Sequence, residues 1–255
     1  MGEIVATASQ KGGVGKTTTA VNLGASLAIL EKKVLLIDMD PQGSVGANFG
    51  LTKYNIESGM YDVIIHGKPI IDAIIETKLD GFDIVPVNIW TEDQEVEFVR
   101  IASNVHLLRH VLKTIKQNYD YILIDCPPSI GALTLNAIVS ADSLLIPVQC
   151  EFFALKALGR FLKMTRSIRD KYNPDLVYKG FVLTMVDYNL GKTESLVNDL
   201  ELSLKDLLFK TKIPRSSKIS EAPSYSIPVA LLDVGSEGSV AYLELAKEMI
   251  NSNNS

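Results

Sequence analysis

The chain has 255 residues, 47% of them apolar, and carries 25 Lys and Arg against 30 Asp and Glu, a net charge of −5. That much apolar material can bury a large single core, and the acidic balance excludes a general basic coat for nucleic acid, leaving any such contact to a local patch. The two cysteines, Cys126 and Cys150, exclude a disulfide scaffold or a CxxC metal site and fit a reducing cytoplasm. "EIVATAS" after Met1 lacks the basic stretch and apolar block of a secretory leader. Charges or turn residues interrupt every apolar run before the roughly 18 residues that a spanning helix needs. The expectation is one domain over 1–250, a disordered "NSNNS" tail over 251–255, and a cytoplasmic protein.

In chain order, apolar runs predict strands over 3–8, 33–38, 82–87, 121–126, 143–148 and 180–186. They are near-continuously apolar rather than alternating, as in parallel strands covered by helices on both faces. Helical periodicity predicts helices over 16–31, 103–118, 131–140, 152–172, 192–207 and 238–250. This alternation predicts an α/β, doubly wound, mostly parallel sheet with helices on both faces. Ligands of such sheets bind beyond the carboxyl ends of the strands, so "SQKGGVGKT", "DMDPQG" and "DCPPS" should converge there.

"SQKGGVGKTTT" over 9–19 resembles the second half of a phosphate-binding loop, G-x-x-x-x-G-K-[ST], with Gly15, Lys16 and Thr17 in place. In such loops backbone N–H groups turn toward the phosphates, the lysine reaches the outer phosphates, and the hydroxyl holds magnesium. The first glycine is absent, because Gln10 stands there, and Lys11 follows it; Gly12 and Gly13 supply the flexibility instead. A chance glycine-rich turn would not place a strand before the loop and a helix from Lys16 after it. The second strand ends in Asp38 and Asp40, whose i, i+2 spacing points both carboxylates to one side. The fourth ends in Asp125 behind an apolar run, the pattern of an acid that binds magnesium through water.

"KGGVGKTT", "LLIDMDPQG", "YDYILIDCPPS", "LLIPVQCEFFALKAL" and "IPRSSKISEAPS" together resemble the ParA/Soj/MinD class of deviant Walker A ATPases, specifically its chromosomal ParA (Soj) branch, over nearly the whole chain. The resemblance implies a deviant P-loop NTPase fold and a slow, magnesium-dependent ATPase. In this family the extra lysine, Lys11 here, reaches across a nucleotide-sandwich homodimer to the partner's ATP phosphates, flanked by Gly12, Gly13, Val14 and Gly15. Lys16 would hold the β and γ phosphates, Thr17 would ligate Mg2+, and Thr18 would support the α phosphate. Asp38 and Asp125 would support the metal and its waters. Asp40 would orient the attacking water, positioning rather than deprotonating it, since a carboxylate is a weak base toward water. Met185, Asp187, Pro214 and Arg215 match where the family holds adenine. The nitrogenase iron protein of the same superfamily ligates a cluster through cysteines, but Cys126 and Cys150 lack the glycine-flanked context and read as small buried residues.

The resemblance also implies non-specific DNA binding by the dimer, a nucleoid location, and a ParB/Spo0J partner that stimulates turnover. Two basic clusters offer themselves. Lys205, Lys210, Lys212, Arg215 and Lys218 form the first, and family position favours Lys212, Arg215 and Lys218 as DNA contacts. Lys156, Arg160, Lys163, Arg166 and Lys171 share one face of a predicted helix, and the plainer reading of that face is a solvated surface. A MinD-like division-site ATPase is an alternative, but the last helix carries Glu237, Glu244 and Glu248 against Lys247 and lacks the cationic face that anionic lipid needs. A metabolic ATP-dependent enzyme of the superfamily is the other, with no residue constellation that suggests a small substrate.

Overall fold

The computed structural model describes residues 2–151, 154–187, 191 and 193–252. Eight strands form one sheet: β1 (Glu3–Thr7), β2 (Val34–Asp38), β3 (Ile75–Glu76), β4 (Phe82–Val85), β5 (Tyr121–Asp125), β6 (Ser143–Gln149), β7 (Val177–Val186) and β8 (Leu208–Pro214). Their order is β3-β4-β2-β5-β1-β6-β7-β8, parallel throughout except for the antiparallel β3 at one edge. The helices are α1 (Lys16–Ile29), α2 (Ser44–Asn48), α3 (Met60–Ile65), α4 (Glu92–Ile101), α5 (Leu107–Lys113), α6 (Ala132–Ser140), α7 (Ala154–Tyr172), α8 (Thr193–Leu204), α9 (Ser217–Glu221), α10 (Val229–Leu232) and α11 (Glu237–Ser252).

Strand side chains alternate between two cores, as a pleated sheet requires. Ile4 and Ala6 of β1 and Leu35 and Ile37 of β2 face a layer built on Phe98 of α4, Leu108 of α5, Ile138 of α6 and Phe161 of α7. Val5, Val34 and Leu36 face the opposite layer, with Leu23 and Leu27 of α1 and Tyr242 and Leu245 of α11. Both faces are thus covered, which is why these strands read as continuous apolar runs. Gly24 lets α1 approach the sheet closely: a Cβ there would lie 2.7 Å from the Phe82 ring.

The predicted doubly wound, mostly parallel sheet is present, with differences at particular elements. The predicted helix over 103–118 is α5 followed by a short 3-10 turn at Lys116–Asn118, and α4 precedes it as a separate element. Thr91 and Gln94 cap α4 reciprocally, the "TEDQ" signature of a helix start. Strand β8 lies within the stretch that reads in sequence as a basic cluster: Phe209 and Ile213 face the core while Lys210 and Lys212 alternate outward. Both carboxylate oxygens of Glu248 in α11 accept from the backbone amides of Lys210 and Thr211, at 2.7 and 3.0 Å. The last helix, expected to stop at 250, runs to Ser252, whose hydroxyl donates to the Met249 carbonyl at 2.8 Å. The rest of the expected tail, 253–255, and the start of the helix expected from 152 lie outside the described residues.

Candidate nucleotide site

The register brings three strand ends side by side: Asp125 of β5 pairs with Thr7 of β1 on one side and Asp38 of β2 on the other. Directly beyond β1 the chain turns through the loop 9–15 into α1. Gly13 (φ 73°) and Gly15 (φ 85°) hold the left-handed backbone that lets the loop curl, and Gly15 caps α1. The three segments expected to converge do so. Thr17 of α1 donates its hydroxyl proton to Asp125 Oδ2 at 2.6 Å, and a Cβ on Gly12 would meet Pro128 of "DCPPS" at an ordinary 3.7 Å.

The two strand-end acids do different things. Asp38 spends both oxygens on backbone, accepting from the amides of Asp40 at 2.9 Å and Val45 at 3.0 Å, so it shapes the turn into α2. Asp40 accepts from the Gln42 amide at 3.1 Å. Asp125 keeps Oδ1 buried without a hydrogen-bond partner, beside the similarly unpartnered hydroxyl of Thr7. A buried unpaired carboxylate oxygen is costly unless something polar completes it. Burial pushes the Asp38 carboxyl well above the usual range, helped by the charges of Asp125 and Asp40. Burial likewise lifts Asp125 to about 7, outweighing the Thr17 hydrogen bond and the Lys16 ammonium, which pull it down.

These residues fit a magnesium ion held jointly with phosphate oxygens. Among the described residues no group of three His, Cys, Asp or Glu side chains could hold a metal ion by itself. One carboxylate oxygen and one hydroxyl at the mouth of a phosphate loop are the donors that a phosphate-bound magnesium uses. Lys16 opens α1, is only 7% exposed, and its ammonium acts on the Asp125 carboxyl.

Lys11 lies elsewhere. It is half-exposed and its Nζ pairs with Glu151, just past the end of β6, and donates to Gln149 Oε1 at 3.2 Å. Gly12 and Gly13 are exposed. A Cβ on Gly13 would have nothing within 4 Å, so this stretch of loop lies open on its outer side.

The residues expected at adenine come together from the ends of β7 and β8. Val186 pairs with Pro214, and the Arg215 amide donates to the Val186 carbonyl at 3.0 Å. Met185 has a positive φ of 54°, and its Cε lies 3.8 Å from where a Gly15 Cβ would stand. Asp187 is half-buried at the end of this group, and the part of "VDYNLGKT" over 188–190 and at 192 lies outside the described residues. The residue sequence reasoning missed is Thr184, buried in β7, whose hydroxyl donates to the Val14 carbonyl at 2.8 Å and ties the phosphate loop to the neighbouring strand. Its one signal is a hydroxyl inside the apolar run "FVLTMV".

Cys126 is fully buried, and burial raises its thiol well above the ordinary value. Cys150, expected to be buried, is half-buried because it follows the end of β6. Of the DNA candidates, Arg215 is exposed, while Lys212 pairs with Glu201 at 2.7 Å and Lys218 with Glu221 at 3.0 Å.

A phosphate loop at the head of a parallel sheet, with a lysine and a hydroxyl at the helix start and acids on the neighbouring strands, defines a P-loop nucleotide-binding protein. A family model described as "AAA domain" matches residues 2–178. The chain is 44% identical over 249 residues to the sporulation initiation inhibitor protein Soj of Bacillus subtilis, covering 98% of each. It is 42% identical over 250 residues to the chromosome partitioning protein ParA of Caulobacter vibrioides, covering 97% of this chain and 94% of that one. Among solved structures, cobyrinic acid a,c-diamide synthase from Mycobacterium smegmatis with bound ATP analog and magnesium superposes with a TM-score of 0.84 at 28% identity, over 100% of this chain and 97% of that one. The septum site-determining protein MinD of Pyrococcus horikoshii, complexed with Mg-ADP, gives 0.80 at 25% identity, over 97% and 96%. The chain belongs to the ParA/Soj/MinD superfamily of ATPases, beside Soj and the chromosomal ParA proteins.

Proposed function

We propose that this protein is an ATP-dependent, dimerising ATPase of chromosome or plasmid partitioning. It binds DNA non-specifically as an ATP sandwich dimer, acts in the cytoplasm on the nucleoid, and is turned over by a ParB/Spo0J-type partner. The observation that carries the reading is the division of the loop lysines. Lys16 is buried beside Asp125, whereas Lys11 sits on the outer rim, paired with Glu151. A cation so placed is available to phosphates presented from outside its own subunit, as a trans-acting finger is.

In this reading the loop amides and Lys16 hold the β and γ phosphates, Thr18 supports the α phosphate, and Met185, Asp187, Pro214 and Arg215 frame the adenine. Thr17, steadied by Asp125, and the unpartnered oxygen of Asp125 would hold the divalent ion, with Asp38 fixing the turn. Bound magnesium supplies charge neutralisation to the phosphates. Asp40, held on that turn, aligns water with the γ phosphate. Lys212, Arg215 and Lys218 contact DNA. Among the described residues no helix is long and apolar enough to cross a membrane, and α11 offers lipid no basic face.

The test is sedimentation of the wild type and Lys11→Ala with ATP and magnesium, beside retention on a DNA duplex. The wild type should dimerise and be retained with ATP, and Lys11→Ala should bind ATP yet stay monomeric. A Lys11→Ala protein that still pairs would remove the trans role. ATP-dependent sedimentation with anionic vesicles, without DNA retention, would favour the division-site alternative.

A further inference from the structure

The chain is acidic overall, yet from Ala154 to Arg169 it carries no Asp or Glu. That stretch is most of α7, and its buried residues Leu158, Phe161, Thr165 and Ile168 fix how the helix is rotated. Lys156, Arg160, Lys163 and Arg166 stand on the opposite side, within an arc of about 80° to either side of the helix face centred on Lys156. All four are exposed, and among the described residues none has an ion-pair or hydrogen-bond partner. The other cations of the helix are engaged: Arg169 pairs with Asp170 at 3.3 Å, and Lys171 lies 4.8 Å from the Tyr172 ring centroid.

We propose that this face of α7 is an anchoring surface for the phosphate backbone of DNA, and the larger of the two basic surfaces. The inference rests on the partitioning reading for its occupant and on the helix geometry for its place.

Several features select this occupant. From Lys156 to Arg166 the cations span about 15 Å of helix, a row suited to successive phosphates rather than to one small anion. The face presents no aromatic side chain, and Leu155 at its margin is the one large apolar residue of α7 that is exposed, so the anchors on which protein partners depend are missing. A lipid surface would need the apolar side of the helix, which is buried in the core. Backbone phosphate binding needs none of these. It needs unpaired Lys and Arg, because each phosphate neutralised releases condensed counterions. In the 210–218 cluster two of the cations are already neutralised by Glu201 and Glu221, so DNA must displace those carboxylates before it gains the same release.

The salt dependence of binding reads the number of phosphates contacted. A fluorescent duplex of arbitrary sequence is titrated with the full-length protein in ATP and magnesium over a range of salt concentrations. The double variant Arg160→Ala with Lys163→Ala should flatten the slope of log affinity against log salt by about two and weaken binding on the order of 10-fold at moderate salt. Lys212→Ala with Lys218→Ala should change the slope by less than half as much. ATP-dependent dimerisation and the thermal midpoint of both variants should match the wild type, which separates lost contacts from lost folding. An unchanged slope in the α7 variant, with the wild type bound, would overturn the surface assignment, as would loss of binding to phosphatidylglycerol vesicles with DNA binding intact. A wild type that does not bind the duplex in ATP would instead overturn the partitioning reading from which the occupant is taken.

Discussion

The inner and outer halves of the phosphate loop differ in how far one chain completes them. The inner half is set by its own chain except for the unpartnered Asp125 Oδ1: Lys16 is buried, Thr17 is tied to Asp125, Asp38 organises the turn, and Thr184 clamps the loop from behind. The rim is not. Gly12 and Gly13 are exposed, and Lys11 makes its contacts to Gln149 and Glu151 from a half-exposed position. The inner half is thus organised within the subunit, while the rim lies open, with Lys11 held only by contacts to Gln149 and Glu151.

The largest test of that contrast is Lys16→Ala, which removes the buried cation of the inner half. ATP affinity should fall on the order of 100-fold or more, read by calorimetric titration. Near-native affinity would show that the inner half is not the phosphate site. Asp40→Ala comes next. It leaves Lys16 and Thr17 in place, so binding and pairing should persist while phosphate release falls about 100-fold. A variant that hydrolyses at the native rate would move the water-aligning role to another residue, with Asp38 first in line.

Gly12→Val probes the rim. Within one chain the added Cβ meets Pro128 at an ordinary 3.7 Å, so folding and ATP binding should be little changed. In the proposed sandwich dimer a second set of phosphates would lie against this backbone, so pairing should weaken about 10-fold or more by light scattering. An ATP dimer of native strength would mean that the rim is not closed by a partner.

The acids of the inner half also set a pH dependence in the metal-free, nucleotide-free protein. Asp125 stands at about 7 against an ordinary 3.8, so between these values the native state holds a proton that the unfolded chain has lost. Stability should therefore fall as pH rises from about 4 through about 7, by a few degrees in the thermal midpoint, with Asp38, also raised by burial, adding to the fall. Asp125→Asn should remove the part of this slope that Asp125 carries. Magnesium requires the ionised acid, so its affinity should climb over the same interval. The smallest expected effect is that of Glu151→Gln, which frees Lys11 from a half-exposed ion pair of at most about 1 kcal/mol. ATP-dependent pairing should tighten about 3-fold; weaker pairing would show that Glu151 serves the assembled state instead.

The sheet and the inner half were legible because their signals are local. Continuous apolar runs reveal buried parallel strands, and glycine, lysine and threonine at fixed spacing reveal the loop. Strand β8 escaped because Lys210 and Lys212 on its outer side masked the alternation of Phe209 and Ile213. Helix α4 escaped although "TEDQ" announces it, since its exposed Val96 and Val99 blur the amphipathic pattern. Lys11 was conspicuous in the sequence, but its resting partner lies 140 residues away, a contact that only the placement of β6 beside β1 creates.

The Lys11–Glu151 pair gives each resting subunit a counterion that is part of its own chain. Exposed pairs are screened by salt over a Debye length of about 8 Å at physiological ionic strength, whereas a contact enclosed between subunits is screened far less. On the proposed function, added salt should loosen the resting lysine while it weakens any phosphate contact on α7. Assembly and DNA retention should then respond to ionic strength in opposite senses, and the proposal expects a salt range in which dimers form off the nucleic acid.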